Sequence, residues 1–196
     1  MSRPREFETG EVLQRAMMAF WRRGYRGTGM QELVNSTGVN RASLYGAFGN
    51  KQKLFLSALK RYTDICLGRL CASLESVPGP ITGIRRMLDD FIAETVEIQR
   101  GCLLYNTALE VASSDEEIRS QVEIGLKRIE LLLDGHLQRA QKDGSIDPSV
   151  DSMLLTRVIM AAMQSIAIRG STGAAAEVME SIRDGALLVF RPSSGQ

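Results

Sequence analysis

Apolar residues recur at intervals of three and four positions along most of the chain, which is the spacing of amphipathic α-helices. Residues 28–55 predict two short helices with a glycine turn at Gly38 between them. Thr28 and Gln31 have the spacing of a capping box for the first short helix, and Asn40 is placed to cap the second. Two helices joined by so tight a turn are typical of a DNA-binding helix-turn-helix, although a plain helical hairpin shows the same pattern.

Seven further helices are predicted, with proline, glycine or a capping residue near their boundaries. Asn50 is expected to cap a long connecting helix, and Ser114 with Glu117 forms a second capping box. Asp147 and Pro148 are expected to open the penultimate helix. The sequence therefore predicts an all-α fold. The predicted ranges are about 10–23, 51–74, 81–99, 103–111, 114–142, 150–169 and 174–190.

Charge is distributed unevenly along the 196 residues, although the net charge of the whole chain is only +1. Residues 1–61 contain 11 Lys/Arg and 4 Asp/Glu, a net charge of +7, and the remaining residues have a net charge of −6. A basic module that meets phosphate, attached to an acidic module with another role, would explain this asymmetry. We expect the first domain at 1–56, including the start of the connecting helix, and the second at 57–196.

Motifs of enzymes, metal sites and membrane proteins are missing from the sequence. The chain has one histidine, His136, and three cysteines without a CxxC pair, so no zinc site or disulfide framework is predicted. No GxSxG, HExxH or GxGxxG motif occurs, and we expect no catalytic residue, no metal and no cofactor. The most apolar segment, 153–168, is interrupted by Arg157 and Gln164 and is too short to span a bilayer. We therefore expect a cytoplasmic protein that is not an enzyme.

The last two predicted helices have the pattern of a subunit interface. Residues 150–169 are apolar on nearly every side, and such a helix needs partners on two sides. The final helix carries an apolar stripe with a small residue that allows close approach. The stripe consists of Val178, Ile182, Gly185 and Val189. We expect these two helices to form the interface of a homodimer.

Two strings in the N-terminal module are highly specific in combination. They are the pattern F-x-x-x-G-Y-R-G-T at 20–28 and TGVNRASLYGAFGNKQKLF at 37–55. Together they resemble the DNA-binding domain of the TetR family of transcriptional regulators over roughly residues 10–56. The string GCLLYNTALE at 101–110 is similar to a segment common in one broad group of these regulators.

The resemblance implies a homodimer that places two recognition helices in successive major grooves of a near-palindromic, double-stranded DNA operator. Thr28 would meet a phosphate through its hydroxyl or through the helix N-terminus. Arg41 is the best candidate for a base contact, while Tyr45 and Lys51 would contact phosphates. The implied DNA-binding residues are Thr28, Asn40, Arg41, Ala42, Ser43, Tyr45 and Lys51.

The recognition helix also departs from the family pattern. Family members often have histidine or tyrosine where this chain has Gly46 and Ala47, so phosphate contacts from those side chains are absent. Gly46 is also expected to weaken the end of the helix. Ahead of the first helix, Arg3 and Arg5 lie in a stretch that suits either an arm in the minor groove or a solvated terminus.

A pocket for a small-molecule effector in the C-terminal domain is implied too, and its occupation would shift the connecting helix and release the DNA. Methionine and aromatic residues at helical spacing also serve as ordinary core. Cys102 opens a helix, where a thiol is activated towards electrophiles and oxidants, but a buried cysteine is also a common core residue. The candidate lining residues are Phe91, Cys102, Tyr105, Asn106, Met160, Met163 and Gln164.

Three functions fit these features. The first is a ligand-responsive repressor with a C-terminal ligand-binding and dimerisation domain. An activator of the same fold is the second, because repression and activation differ in promoter position rather than in DNA-binding sequence. The third is a helical small-molecule-binding protein or enzyme without DNA binding, against which the retained DNA-contact pattern argues.

Overall fold

The computed structural model of the chain describes residues 9–111 and 113–190. These residues form nine α-helices and a final 3-10 turn at Leu188–Phe190, and no strand occurs among them, which confirms the all-α class. Arg3 and Arg5 of the N-terminal stretch lie outside the described residues. The helices are α1 (Thr9–Gly27), α2 (Met30–Thr37), α3 (Arg41–Phe48), α4 (Lys51–Glu75), α5 (Pro80–Ile98), α6 (Leu103–Glu110), α7 (Glu116–Lys142), α8 (Ser152–Ser171) and α9 (Ala176–Leu187).

Local capping signals set the boundaries of the short helices. The Asn40 Oδ1 accepts a hydrogen bond from the Ser43 N–H at 2.9 Å, which caps α3 as predicted. In the same way, the Asn50 Oδ1 accepts the Lys53 N–H at 2.8 Å at the start of α4. Gly38 has a φ of 73°, and this left-handed conformation ends α2 so that α3 can follow after a three-residue connection.

The start of α7 differs from the predicted capping box. The Asp115 Oδ1 accepts the Ile118 N–H at 3.0 Å, while Ser114 donates its hydroxyl to a backbone carbonyl. The predicted box of Ser114 with Glu117 is therefore wrong, because the aspartate between them takes the cap. Ile124 of this helix is 50% exposed, whereas Ile118 and Val122 are buried.

The start of α8 differs for a similar reason. Asp151 is the cap, with its Oδ1 accepting the Met153 N–H at 2.9 Å, whereas Asp147 bonds within the preceding turn. By length and composition α8 is also the one described helix that could cross a membrane. It contains Arg157, however, and a helix of this kind is also found in the core of soluble proteins. Its buried residues include Leu155, Ile159, Met163 and Ile166.

The helices pack into two compact units, each assembled from two separate parts of the chain. The first unit combines the chain up to Ile65 with Leu103–Gly125, and the second combines Cys66–Cys102 with the chain from Leu126 onwards. Both α4 and α7 therefore begin in the first unit and end in the second. The division into domains at 1–56 and 57–196 stays a prediction about how function is divided.

Aromatic rings on α1 and α4 pack against one another in the first unit. The Phe20 and Phe55 rings meet edge to face with centroids 4.8 Å apart, and the Tyr25 ring lies 4.8 Å from Phe55. Trp21 packs edge-on against Tyr62 at 5.1 Å. These contacts join α1 to α4 and so fix the frame on which α2 and α3 are held. The buried apolar residues of α2 and α3 are Leu33 and Leu44.

In the second unit, α5 packs against α8 and α9. A Cβ at Gly83 would lie 2.5 Å from the backbone oxygen of Leu74, so glycine allows α5 to approach the end of α4. Across the α5–α9 contact, the largely buried Arg183 pairs with Asp89 and with its neighbour Asp184. The fully buried residues include Ile84, Met87, Leu88, Ile159, Ile166 and Met179.

Candidate nucleic-acid interface

The first turn of α3 presents polar groups to solvent, while the next residue anchors the helix. Arg41 and Ala42 are exposed and Ser43 is half-buried, whereas Leu44 is buried. Asn40 uses its side-chain oxygen for the cap, which leaves its amide NH2 as the group for a partner. The four candidate residues at the front of this helix thus lie together on a helix whose first turn is fixed.

Arg41 is held against Tyr45 one turn further along α3. Its Nη2 donates a hydrogen bond to the Tyr45 hydroxyl at 3.1 Å, and its guanidinium carbon lies 5.3 Å from the centre of the ring. Both side chains remain accessible, since Arg41 is exposed and Tyr45 is half-buried. A guanidinium fork can read the O6 and N7 atoms of guanine, and holding it on a ring reduces the side-chain entropy that binding would cost.

Thr28 has a different role from the predicted cap. Its side chain is fully buried, and its hydroxyl donates a 2.6 Å hydrogen bond to the Gly24 carbonyl. The N-cap of α2 is Gly29, and no side chain caps that end. The capping box of Thr28 with Gln31 is therefore wrong, and the hydroxyl is not available to a phosphate here. Of the two predicted routes to phosphate, the backbone N–H groups at the start of α2 remain.

Lys51, at the start of α4, lies on the face of an aromatic ring. Its Nζ is 4.4 Å from the centre of the Tyr25 ring, within range of a cation–π interaction. Burial lowers the pKa of Lys51, and the negative charge of Glu110 opposes this by raising it. Burial raises the pKa of Tyr25, and the charge of Asp115 adds to that rise. The Lys51 ammonium is thus partly shielded from water, and the Tyr25 ring contributes to its position.

Two acids that the sequence did not single out hold this region together. Glu110, the last residue of α6, accepts the Tyr25 N–H at 2.9 Å and the Arg26 N–H at 2.7 Å through separate oxygens. Asp115 accepts hydrogen bonds from the Gln52 amide at 3.0 and 3.2 Å. Partners 63 to 85 positions apart leave no local pattern, which is why periodicity and capping rules missed them.

The acids of 103–125 belong to the same unit as the basic N-terminal stretch. The basic and acidic parts of the sequence therefore do not correspond to the two units of the structure. Positive side chains are nevertheless concentrated on α1, α3 and the start of α4. Exposed cations there are Arg15, Arg22, Arg23, Arg26, Arg41, Lys53 and Lys60.

The candidate effector residues are distributed over both units. Phe91 on α5 and Met160 on α8 are half-buried in the second unit, where these two helices pack together. Met163 is buried and Gln164 is exposed on the same α8. On α6, which belongs to the first unit, Tyr105 is half-buried and Asn106 is exposed. The composition of the pocket stays a prediction.

Cys102 lies just before α6 and is only 7% exposed. None of the three cysteines, all of which are described, forms a disulfide. Reactive cysteines are partly exposed in positively charged surroundings, so this burial favours the core interpretation over the sensor interpretation.

Comparison with protein families gives two matches along the chain. The model described as "Bacterial regulatory proteins, tetR family" matches residues 12–58, and the one described as "Tetracyclin repressor-like, C-terminal domain" matches residues 80–185. The first contains α2, α3 and the start of α4, and the second extends from α5 into α9.

Relatives and solved structures agree with these matches. The uncharacterized HTH-type transcriptional regulator YezE of Bacillus subtilis is 33% identical over 75% of this chain and 77% of its own length. The HTH-type transcriptional repressor ComR of Escherichia coli is 27% identical over 92% of this chain and 87% of its own. A cysteine mutant of the TetR family regulator CifR, solved with 26-bp double-strand operator DNA, has a TM-score of 0.88 and 26% identity, covering 97% of this chain and 100% of that one.

Proposed function

The chain belongs to the TetR family of transcriptional regulators, and on this basis we propose that it is a homodimeric repressor that leaves a near-palindromic operator when a small molecule binds. The observation that carries the proposal is the capped α3, with Arg41 and Ala42 exposed in its first turn. Residues 1–56 would bind DNA, and residues 57–196 would bind the effector and form the dimer. Because its proposed target is DNA, we expect the protein to act in the cytoplasm.

The side chains divide into base-reading and phosphate-contacting groups. Arg41 would read a base in the major groove, with Ala42 and Ser43 beside it. Tyr45 and Lys51 would contact phosphates, as would the backbone N–H groups that follow Thr28. Phosphate contacts position the helix and make binding depend on salt, whereas the base contact selects the sequence.

Exposed apolar residues on α8 and the end of the chain support a dimer interface there. Leu154, Ile168, Leu188 and Val189 are large apolar residues that solvent reaches in the single chain. A Cβ at Gly185 would meet nothing within 4 Å, so this part of α9 offers an open surface to a second helix. Covering these residues with a second copy would remove apolar surface from water.

DNA flanking the gene provides the test of operator binding. Overlapping duplexes tiled across it should include one that the protein binds in a saturable way, with two protomers per site and half-sites about one helical turn apart. A duplex of the same composition in shuffled order is the control. Equal affinity for all duplexes at physiological salt would contradict the proposal.

The dimer interface is tested separately. Val189→Asp, in the proposed interface, should convert the dimer to a monomer in sedimentation velocity, because the charge would be buried without a partner. Leu109→Asp is the matched control, since Leu109 is exposed on α6 in the other unit. A dimer that survives Val189→Asp and a second change, Leu188→Asp, would place the interface elsewhere.

Repression and activation are separated by transcription in vitro from a promoter that carries the operator. We expect less transcript when the protein is added, and restored transcript with the effector. An activator would increase the transcript instead. The name of the ComR relative, a repressor, supports the first outcome.

A further inference from the structure

Glu110 lies where α6 meets the end of α1. Its two oxygens accept the backbone N–H groups of Tyr25 and Arg26, which follow one another in the turn after Gly24. Gly24 has a φ of 73°, so α1 is interrupted by a kink there, and a Cβ at this position would lie 2.8 Å from the Glu110 carboxyl carbon. The turn and the carboxylate therefore fit each other closely, and both N–H donors at a broken helix end are satisfied.

The same turn places the Tyr25 ring. The centre of the ring lies 4.8 Å from that of Phe55 on α4 and 4.4 Å from the Lys51 ammonium. Because the Tyr25 backbone is fixed by Glu110, the position of the ring also depends on Glu110. The negative charge of Glu110 acts on Lys51 as well, since it raises the lysine pKa against the effect of burial.

A second set of contacts attaches the connection between α6 and α7 to the same region. The Gln52 amide, next to Lys51, donates to the carboxylate of Asp115 at 3.0 Å. The Arg26 guanidinium donates to the Ser114 hydroxyl at 3.0 Å. Glu110, Ser114 and Asp115 thus supply contacts to both the end of α1 and the beginning of α4.

We propose that Glu110 is a positioning residue for operator binding: it fixes the turn after Gly24, so that the Tyr25 ring holds the Lys51 ammonium towards a DNA phosphate. The inference rests on the phosphate contact proposed for Lys51. It connects the end of α6 to the proposed Lys51–phosphate contact, through the hydrogen bond from the Tyr25 N–H to Glu110 and through the face of the Tyr25 ring. Movement of α6 would change this contact without any change at α3.

Salt dependence of operator affinity tests the proposal with Glu110→Gln. Glutamine keeps the size of the side chain but presents an NH2 donor to one of the two backbone donors, which breaks the paired interaction. Loss of the Lys51 contact in both protomers should lower the slope of log affinity against log salt by roughly 2 in magnitude. Lys51→Ala should give the same decrease, and the double variant should show no further decrease.

If Glu110 acted through its charge alone, Glu110→Gln would change operator affinity in the opposite direction. The direction of the change therefore distinguishes a charge effect from a positioning effect. Removing an acid from a DNA-binding surface should strengthen binding at low salt, whereas loss of positioning should weaken it. Glu116→Gln removes the same charge from an exposed side chain at the start of α7 and is the matched control. We expect that variant to bind as well as the wild type or slightly better, with an unchanged slope.

Variants of Tyr25 test the same contact independently, in case the Glu110 variant folds poorly. Tyr25→Phe keeps the ring and should keep the slope, while Tyr25→Leu removes the ring face and should lower it as Lys51→Ala does. Amide hydrogen exchange adds a readout without DNA. The Tyr25 and Arg26 amides should exchange at least about tenfold faster in Glu110→Gln, and as slowly as in the wild type in Lys51→Ala.

Three results would overturn the inference, and they point to different faults. A wild-type slope in Glu110→Gln, beside a lowered slope in Lys51→Ala, would leave the phosphate contact intact and refute the positioning role. An unchanged slope in Lys51→Ala would refute the contact and the positioning role together. A wild-type protein that binds no duplex would refute the proposed function itself before any variant is compared.

Discussion

Arg41 and Tyr45 form a pair across one turn of α3, joined by a 3.1 Å hydrogen bond and by the guanidinium lying 5.3 Å from the ring centre. This arrangement holds a flexible side chain against the next turn of the helix. A preordered arginine loses less side-chain entropy when it binds a base.

We expect Arg41→Ala to remove the preference for one base pair in each half-site, at a cost of about 1–3 kcal/mol per contact. The measurement is the affinity for a set of operators with single base-pair substitutions. Arg22→Ala, an exposed arginine on α1, is the control and should weaken all sequences about equally or not at all. An unchanged sequence profile in Arg41→Ala would move the base contact to another residue.

Asn40 combines a cap with a place at the DNA-facing front, and two substitutions separate these roles. Asn40→Ala should lower the free energy of unfolding by about 1 kcal/mol, because the Ser43 N–H loses its acceptor. Asn40→Asp keeps the cap but adds a negative charge, so stability should be kept while operator affinity falls. Urea unfolding and fluorescence anisotropy measure the two effects. Equal operator affinity in Asn40→Asp would show that position 40 does not approach a phosphate.

Alanine at two helical glycines should change stability in opposite directions. A Cβ at Gly46 would meet nothing within 4 Å, so Gly46→Ala should stabilise α3 by about 0.5–1 kcal/mol through helix propensity. A Cβ at Gly83 would meet the Leu74 carbonyl at 2.5 Å, so Gly83→Ala should destabilise the second unit by roughly 1–3 kcal/mol. Thermal unfolding of both variants beside the wild type is the measurement. A stabilised Gly83→Ala would mean that α5 can move away from α4 at little cost.

Glu130 provides a test by pH. The hydrogen bond from Lys127 lowers the pKa of Glu130, burial opposes this, and the charges of Lys127 and Arg157 lower it further. A depressed pKa in the folded state stabilises the protein above the unfolded value of about 4.3, and that contribution is lost as pH falls towards the folded value. Glu130→Gln should therefore lose less stability than the wild type below about pH 4.3 in urea unfolding. Glu117→Gln, exposed on the same helix, is the control and should follow the wild-type curve.

Local patterns predicted most of the fold, because helices are specified by neighbours three and four positions apart. The caps at Asn40 and Asn50 and the turn at Gly38 were predicted from such patterns and occur in the structure. At the start of α7 the spacing rules selected Ser114, whereas the capping side chain is that of its neighbour Asp115.

The interface was harder to predict because its supporting contacts are distant in sequence. The resemblance led us to propose α3 and Lys51 as part of the interface, but it did not reveal that Thr28 is buried with its hydroxyl on the Gly24 carbonyl. Nor did it reveal Glu110, whose partners Tyr25 and Arg26 are more than 80 positions away. Contacts of this kind depend on how helices pack, and a single sequence carries no periodic signal for them.

Assembly of the first unit from two separate stretches has a consequence during synthesis. A ribosome that has released the chain up to Ile65 has produced every DNA-contacting side chain proposed above, but not α6 or its carboxylate. At a translation rate of about 5–20 residues per second, several seconds pass before Glu110 is synthesised. Until then the Tyr25 and Arg26 N–H groups lack their carboxylate acceptor. A message truncated before α6 would therefore yield a helix-turn-helix fragment that lacks the Glu110 carboxylate at the turn after Gly24. Such a fragment would compete poorly with the intact regulator for the operator.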